Sequence, residues 1–243
     1  MSQADQMAKL SLQDNVATSA VTTNFSYCGL KRGLDIFVSF GLLIFLSPVL
    51  LLIALLIKLD SPGPVLYRQQ RCTLGGKTFW MRKFRSMPHN TERDGVPIWG
   101  AHIDPRSTRL GRWLRILGLD ELPQLFNILR GEMSLVGPRP ERPYFIQRFR
   151  MIIKDYDRRH AVKAGLTGWA QVNGYRGTTS VVKRVEYDLQ YIDQQSFLFD
   201  SIILLKTPFC MVCQTPFLKR IRSSSFCTEK LYRLVERVKF ETA

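Results

Sequence analysis

Two adjacent carboxylates, Asp120 and Glu121, lie within residues 104–143, a segment that also holds seven arginines. Apolar residues recur with helical spacing before the pair, at 110–117, and again after it, at 122–129. The pair is therefore predicted at the N-terminus of the second of two short helices, where free backbone N–H groups keep a carboxylate ionised at neutral pH. Such a carboxylate can attack phosphorus or bind Mg²⁺, although an acidic pair at a helix start is also a common capping arrangement.

Cationic residues that could bind phosphate occur close to this pair in the sequence and again about forty residues before it. A Gly-Pro-Arg-Pro turn at residues 137–140 presents Arg139 from a rigid backbone, and Arg82, Lys83 and Arg85 end a predicted strand. A guanidinium binds phosphate bidentately, and lysine supplies a point charge. The basic strand is equally compatible with a surface that rests on acidic lipid headgroups.

Three sequence blocks carry a family resemblance. Residues 119–124 (LDELPQ), 130–140 (RGEMSLVGPRP) and 83–87 (KFRSM) resemble the signature of the bacterial sugar transferases, the monotopic polyprenyl-phosphate phosphoglycosyl transferases. The similarity extends from about residue 31 to about residue 214 and is densest at 104–143. Relatives with this pattern often carry a multi-helix membrane region upstream, whereas about thirty polar residues precede the match here.

The resemblance implies an enzyme that transfers a hexose-1-phosphate from a UDP-sugar to undecaprenyl phosphate and releases UMP. This is the first membrane step of exopolysaccharide, capsule or other glycoconjugate synthesis, and glucose or galactose is the sugar that we expect. By the same resemblance, Asp120 is the nucleophile that forms a covalent phosphosugar intermediate, and Glu121 helps to hold Mg²⁺. Substrate contacts are implied for Lys83, Arg85, Arg115, Pro138, Arg139 and Pro140.

The composition indicates an anionic partner. The 243 residues suffice for one sizeable domain or two small ones, and the net charge is +15. Nucleic acid, an acidic membrane and a phosphorylated substrate would each fit that charge, but the sequence contains no nucleic-acid motif. Five scattered cysteines argue against a disulfide framework, and the Cys210-x-x-Cys213 spacing has no second ligand pair that would complete a metal site.

A membrane segment is predicted at residues 36–57, twenty-two residues without a charge. At 1.5 Å per residue a straight helix of this length would reach about 33 Å, enough for one crossing. Pro48, after Ser47, should kink it, and basic residues on both flanks place both ends on the cytoplasmic side. These features favour a re-entrant helix over a crossing one, and the family resemblance implies the same helix with Ser-Pro at the bend.

The remaining elements complete an α+β, mainly helical chain. We predict a β-hairpin with strands at 65–71 and 77–84, a long loop at 88–105, and helices at 144–156, 182–192 and 196–212, the last lying on the bilayer surface. The segment 165–174 either shapes the substrate pocket or is a turn with Trp169 packed in the core. The predicted divisions are a disordered N-terminal tail (1–30), a re-entrant helix (31–60), a catalytic domain (61–215) and a basic C-terminal tail (216–243).

The predicted protein thus lies at the bacterial inner membrane with its catalytic domain on the cytoplasmic face. Its expected partners are a UDP-sugar, undecaprenyl phosphate and membrane lipids. The sequence does not decide whether the protein forms a homo-oligomer. Two alternatives remain at this point: a basic, membrane-tethered binding protein without catalysis, and a metal-dependent hydrolase of lipid phosphates that uses the same carboxylate pair.

Overall fold

Helices and two-stranded sheets alternate along residues 25–88, 104–177 and 179–213, which are the residues that the computed structural model of the chain describes. The α-helices are α1 (Phe25–Phe45), α2 (Ser47–Asp60), α3 (Arg109–Leu117), α4 (Gln124–Leu129), α5 (Pro143–Ile152), α6 (Trp169–Val172), α7 (Val181–Asp193) and α8 (Phe197–Cys213). The strands are β1 (Leu66–Cys72), β2 (Thr78–Phe84), β3 (Ser134–Val136) and β4 (Gly165–Thr167). Short 3₁₀ turns lie at Leu74–Gly76, Leu119–Glu121 and Tyr156–Ala161. The predicted α+β, mainly helical class is confirmed.

Some predicted segments fall elsewhere or outside the description. Residues 25–30, placed in the N-terminal tail by the sequence, belong to α1. The rest of that tail, nearly all of the loop at 88–105 and the C-terminal tail at 216–243 lie outside the described residues.

The predicted kink at Pro48 is present. Helices α1 and α2 are bent by 63° at a break after Phe45. Proline has no N–H to donate, and the hydroxyl of Ser47 donates instead to the carbonyl of Ile44 at 2.8 Å. Among the described residues no single helix is long and apolar enough to cross a bilayer. The two helices of the bent pair, taken together, have the length and the apolar composition that a crossing would need. Many of its large apolar side chains are exposed, which is typical of a membrane or partner contact.

One side of α1 is fastened to the elements that carry the site. Arg32 donates to two carbonyl oxygens at the end of α4, those of Ile128 (2.6 Å) and Leu129 (2.8 Å). A cation at a helix C-terminus satisfies carbonyls that have no partner within the helix. One turn further on, buried Asp35 accepts a hydrogen bond from the N–H of Leu135 in β3 at 2.8 Å.

A second buried cluster ties α1 to α8. Asp200 forms an ion pair with Lys31 at 2.6 Å and accepts hydrogen bonds from Tyr191 (2.7 Å) and Tyr27 (2.8 Å). The carboxylate is almost fully buried, so these partners offset the cost of removing its charge from water. The bent helix pair and the rest of the described chain are therefore joined by polar contacts as well as by packing.

The predicted β-hairpin is confirmed, with the first strand shifted by one residue and the second beginning one residue later than predicted. Strands β1 and β2 pair antiparallel, with Leu66 opposite Phe84 and Cys72 opposite Thr78. Gly75, in the connecting turn, has φ 64°, a conformation that favours glycine. Asn127 of α4 fixes the hairpin, because its side chain accepts from the N–H of Arg82 in β2 (3.1 Å).

The second sheet is a short parallel pair that sequence periodicity did not predict. Ser134 of β3 faces Gly165 of β4, and Val136 faces Thr167. A Cβ on Gly165 would meet the backbone nitrogen of Gly137 at 2.1 Å, so glycine is required where the two segments approach. Trp169, directly after β4, packs in the main core, which confirms the core alternative for this residue.

Helix α3 covers the residues whose spacing predicted a helix, but its burial differs from the prediction. The side chain of Thr108 accepts from the N–H of Gly111, and Gly118 ends the helix in the left-handed conformation. Leu114 is buried, whereas Trp113 is 64% exposed and Leu117 is also exposed. The prediction that this apolar face lies in the core is therefore wrong for both residues, because no other described element covers that side of the helix.

Candidate active site

The carboxylate pair lies on a turn of its own. Asp120 and Glu121 belong to the 3₁₀ turn Leu119–Glu121, which starts at the left-handed Gly118, and α4 begins only at Gln124. The predicted position in the first turn of the second helix is corrected to this separate turn, since Pro123 is the residue before α4. The turn packs against β2, so the pair faces the end of the hairpin.

Burial, rather than a helix dipole, has the largest effect on the pKa of Asp120. Its side chain is 7% exposed, and burial raises its pKa to about 6, while the charge of Lys83 lowers it and that of Glu121 raises it. We predicted that a helix N-terminus would keep Asp120 ionised, but burial and the neighbouring charged side chains set its pKa instead. At pH 7 a carboxyl group with this pKa is still about nine-tenths ionised.

Glu121 is held between two cations. Lys83 donates to Oε1 at 2.9 Å, and the guanidinium of Arg139 binds both oxygens, with Nη1 to Oε2 at 3.1 Å and Nη2 to Oε1. Burial alone would raise the pKa of Glu121, but Arg139 and Lys83 hold it well below the usual range. Glu121 therefore stays ionised and keeps both cations beside Asp120.

A cavity of about 900 Å³ opens beside the pair. The predicted site residues that line it are Lys83, Arg85, Arg115, Asp120, Glu121 and Arg139. The structure thus brings together side chains from β2, α3, the 3₁₀ turn and the segment after β3. The volume of the cavity is typical of a site for a ligand of drug-like size. The charge of Arg115, on the cavity wall, lowers the pKa of Asp120.

The two prolines of the Gly-Pro-Arg-Pro turn do not line this cavity. The carbonyl of Pro138 accepts from the N–H of Gly165 (2.9 Å), and the carbonyl of Pro140 accepts from Arg71 (3.1 Å). The direct substrate contacts predicted for Pro138 and Pro140 are not supported by this geometry. Their backbone contacts instead hold the turn from which Arg139 reaches Glu121.

Arg85 lines the cavity, but its guanidinium contacts the backbone of another segment. Its guanidinium donates to three backbone carbonyls at the end of α2, those of Ile57 (3.2 Å), Ser61 (2.6 Å) and Pro62 (2.5 Å). A buried arginine with these partners fastens the end of α2 to the hairpin. Substrate binding was predicted from its place near Lys83 in a basic run, but Arg85 follows the last residue of β2 and its guanidinium is engaged by carbonyls of the segment after α2.

Sequence reasoning missed further residues that line the cavity, among them Arg71, Glu141, Arg176 and Arg184. Glu141 accepts from Arg184 at 2.7 Å and from Arg71 at 3.4 Å. Burial lowers the pKa of Arg71 to about 10, although Glu141 opposes that change. Glu141 directly follows the Gly-Pro-Arg-Pro turn, which was a usable signal, whereas no pattern in the sequence singles out Arg184.

The donor set at the pair fits a magnesium ion that shares its coordination with a substrate. Among the described residues, no group of three or more His, Cys, Asp or Glu side chains could hold a metal. Mg²⁺ is commonly bound by one or two carboxylates together with substrate phosphates, and Asp120 and Glu121 supply two. Because Lys83 and Arg139 occupy the oxygens of Glu121, metal binding requires that Glu121 exchange some of these contacts.

A carboxylate pair surrounded by cations, in a cavity beside a bent apolar helix pair, defines a site suited to phosphoryl transfer near a membrane. Residues 26–214 match the sequence profile of the family described as bacterial sugar transferase. The chain belongs to this family.

Several curated relatives are similar over the same region. A UDP-glucose:undecaprenyl-phosphate glucose-1-phosphate transferase of Escherichia coli (strain K12) is 48% identical over 184 residues, which cover 74% of this chain and 39% of the relative. A UDP-N-acetylgalactosamine-undecaprenyl-phosphate N-acetylgalactosaminephosphotransferase of Aeromonas hydrophila is 43% identical, over 74% of this chain and 43% of the relative. An exopolysaccharide production protein PSS of Rhizobium leguminosarum bv. phaseoli is 42% identical over 73% of this chain and 92% of the relative. The chain spans about two fifths of the length of the first two.

Proposed function

We propose that the protein transfers a hexose-1-phosphate from a UDP-hexose to undecaprenyl phosphate and releases UMP, as the first membrane step of exopolysaccharide or related glycoconjugate synthesis. The names of the E. coli and A. hydrophila relatives support a UDP-sugar donor and this acceptor. The observation that carries the proposal is a buried, largely ionised Asp120 in a cavity whose cations match a diphosphate.

The reaction proceeds in two displacements. In the first, a carboxylate oxygen of Asp120 attacks the sugar-bearing phosphorus, the bond from that phosphorus to the bridging oxygen breaks, and UMP leaves with the electron pair. In the second, a phosphate oxygen of undecaprenyl phosphate attacks the same phosphorus and displaces the Asp120 carboxylate. Both steps exchange one phosphorus–oxygen bond for another, so the carboxylate is regenerated.

The surrounding charges prepare the site before a substrate enters. Glu121 holds Lys83 and Arg139 at the edge of the cavity next to Asp120, and Arg115 lies on the same cavity wall. Pre-oriented cations stabilise the charge that develops on the phosphoryl oxygens without first having to reorganise. The Glu121 side chain therefore acts as an organiser of cations as well as a candidate metal ligand.

Asp120 and Glu121 would hold Mg²⁺ together with substrate phosphate oxygens. When bound, such an ion neutralises negative charge on the diphosphate and on the departing phosphate. Omitting the metal should therefore reduce UMP release by the native protein, and Glu121→Gln should reduce it as well while also removing the ion pairs with Lys83 and Arg139. Full activity of the native protein in the presence of a chelator, or full activity of the Glu121→Gln variant, would contradict the metal assignment.

For the membrane attachment we propose that α1 and α2 enter the cytoplasmic leaflet of the bacterial inner membrane and return to the same side. The 63° bend and the exposed apolar side chains of both helices support this arrangement. Cys28 near the start of α1 is exposed, and Asp60→Cys would provide a probe at the end of α2. In inverted vesicles a membrane-impermeant maleimide should label both positions. Labelling of one position from each side of the membrane would establish a crossing helix instead.

The decisive test of the reaction is UMP release from a panel of UDP-hexoses with Mg²⁺ and undecaprenyl phosphate. Asp120→Asn keeps the shape of the side chain but removes its nucleophilic charge, so release should fall at least about a thousandfold. Radiolabelled donor should also leave an adduct on the native chain but not on the variant. Sustained sugar-phosphate hydrolysis without acceptor would favour a hydrolase, and salt-sensitive DNA binding without turnover would favour the non-catalytic binder.

A further inference from the structure

Arg176 is a cation of the cavity wall to which the proposed reaction assigns no role. It lies in the connection between α6 and α7 and lines the same cavity as Asp120 and Glu121. Its Nε is buried without a hydrogen-bond partner, and no ion pair within the described residues engages its guanidinium. A buried polar nitrogen without a protein partner is costly, which points to a ligand as the partner of this side chain.

The charges around Arg176 favour an anion at this place. Burial lowers its pKa, the charge of Arg139 lowers it further, and the charges of Glu121 and, more weakly, Asp120 raise it. Two guanidinium groups that repel each other in one cavity are stabilised together when an anion lies between them. A phosphate group has the charge and the acceptor oxygens for that position, and arginine binds it through two parallel hydrogen bonds.

The backbone that carries Arg176 is fixed on both sides. The N–H of Tyr175 donates to the carbonyl of Ala170 at 2.9 Å, and Arg184 donates to the carbonyl of Gly177 at 2.9 Å. The segment is thus held by contacts that do not involve the Arg176 side chain. A binding group on a pre-ordered backbone loses little entropy when its ligand arrives.

We infer that Arg176 binds the nucleoside-bearing phosphate of the donor, the phosphate that departs with UMP; this rests on the proposed function. The departing oxygen lies roughly in line with the attacking Asp120 oxygen, on the far side of the reacting phosphorus. Lys83 and Arg139 are held beside Asp120 by their ion pairs with Glu121, whereas Arg176 has no such ion pair among the described residues. Arg176 lines the same cavity, so it is the cation that we assign to the second phosphate of the diphosphate.

The kinetic test uses Arg176→Ala in the full-length, membrane-bound protein. Loss of a charge-assisted phosphate contact should raise the donor KM about 10- to 150-fold. Transfer from a preformed phosphosugar adduct to undecaprenyl phosphate should keep its acceptor KM, because UMP has already left. Arg176→Lys should recover part of the donor affinity, since it restores the charge but not the planar fork. Arg158→Ala, which breaks an exposed ion pair with Asp193, is the control and should change neither KM.

A binding test separates this inference from the proposed reaction. UMP should raise the thermal midpoint of the native protein and of Arg158→Ala, and it should have little effect on Arg176→Ala. Without UMP, Arg176→Ala should be no less stable than the native protein, because its guanidinium has no partner within the described residues to lose. If the native protein turns over no UDP-sugar but UMP stabilisation still depends on Arg176, the reaction is wrong and the phosphate site stands.

Three results would overturn the inference. Unchanged donor KM and unchanged UMP stabilisation in Arg176→Ala would show that the side chain contacts no substrate phosphate. A raised acceptor KM with unchanged UMP stabilisation would assign Arg176 to the lipid phosphate instead of the departing one. A large loss of stability without UMP would assign the residue to the fold.

Discussion

Replacing Glu141 by Gln should destabilise the protein more than the same change at an exposed glutamate. Glu141 is buried and accepts from two arginines that line the cavity, Arg184 at 2.7 Å and Arg71 at 3.4 Å. The amide keeps the shape and one acceptor oxygen but removes the negative charge that both guanidinium groups contact. Arg184 is almost fully buried, so water cannot replace the lost charge there, whereas Arg71 is partly accessible.

The magnitude follows from the burial of these groups. Breaking a buried ion pair by removing one partner costs about 3–5 kcal/mol, and the retained acceptor favours the lower end. For a domain of this size each kcal/mol lowers the thermal midpoint by about 2–4 °C, so Glu141→Gln should lower it by about 6–12 °C. Glu186, which is 54% exposed and pairs with Lys183, is the matched control. Glu186→Gln should cost no more than about 1 kcal/mol.

The measurement is thermal unfolding of both variants in one detergent at one scan rate, because membrane-bound proteins often unfold irreversibly. Near-UV circular dichroism at 20 °C should first establish that each variant has native tertiary structure. Midpoints that agree within about 2 °C for the two variants would refute the reasoning, since the buried network would then contribute no more than an exposed pair.

Two further predictions concern packing and reactivity. Gly165→Ala should destabilise the fold by about 1–3 kcal/mol in denaturant unfolding, because its Cβ would meet backbone atoms of Gly137, whereas Gly33→Ala, at an open position in α1, should be neutral or stabilising. Burial raises the pKa of the Cys72 thiol to about 11, so its thiolate fraction is about 0.1% at pH 8. In single-cysteine variants iodoacetamide should therefore modify exposed Cys28 and spare Cys72 until the protein unfolds, and equal rates would contradict this burial.

The parts of the fold that the sequence predicted well are those set by local chemistry. Helix α3 begins after a Thr108 cap and ends at Gly118, and the hairpin turns at Gly75, so each boundary is marked by the residue type that its conformation needs. The pairing of β3 with β4 escaped prediction because strands of three residues carry no periodicity. Its signal was instead the set of glycines at 137, 165 and 168, where a Cβ would meet backbone.

Burial was predicted less well, and the reason is physical. Spacing shows that Trp113 and Leu117 share the apolar face of α3 with Leu114, but it does not show what covers that face. If lipid covers part of it, as the proposed attachment requires, the same periodicity describes an interfacial helix as well as a core one. Among the basic residues, composition could not separate Arg85, which binds backbone carbonyls, from Lys83, which faces the carboxylate pair.

An excess of cations in the cavity explains how one site could serve two substrates in turn. Glu121 and Glu141 each engage two cations, and Arg115 and Arg176 add further positive charge to the wall. A nucleotide diphosphate would neutralise that charge on arrival, and the departure of UMP would restore part of it while the sugar phosphate stays on Asp120. The restored charge then favours entry of the next anion, which is the phosphate of the lipid acceptor at the membrane surface. In the proposed reaction, electrostatics would thus favour this order of the two displacements, because the acceptor phosphate would bind most strongly once the nucleotide phosphate has gone.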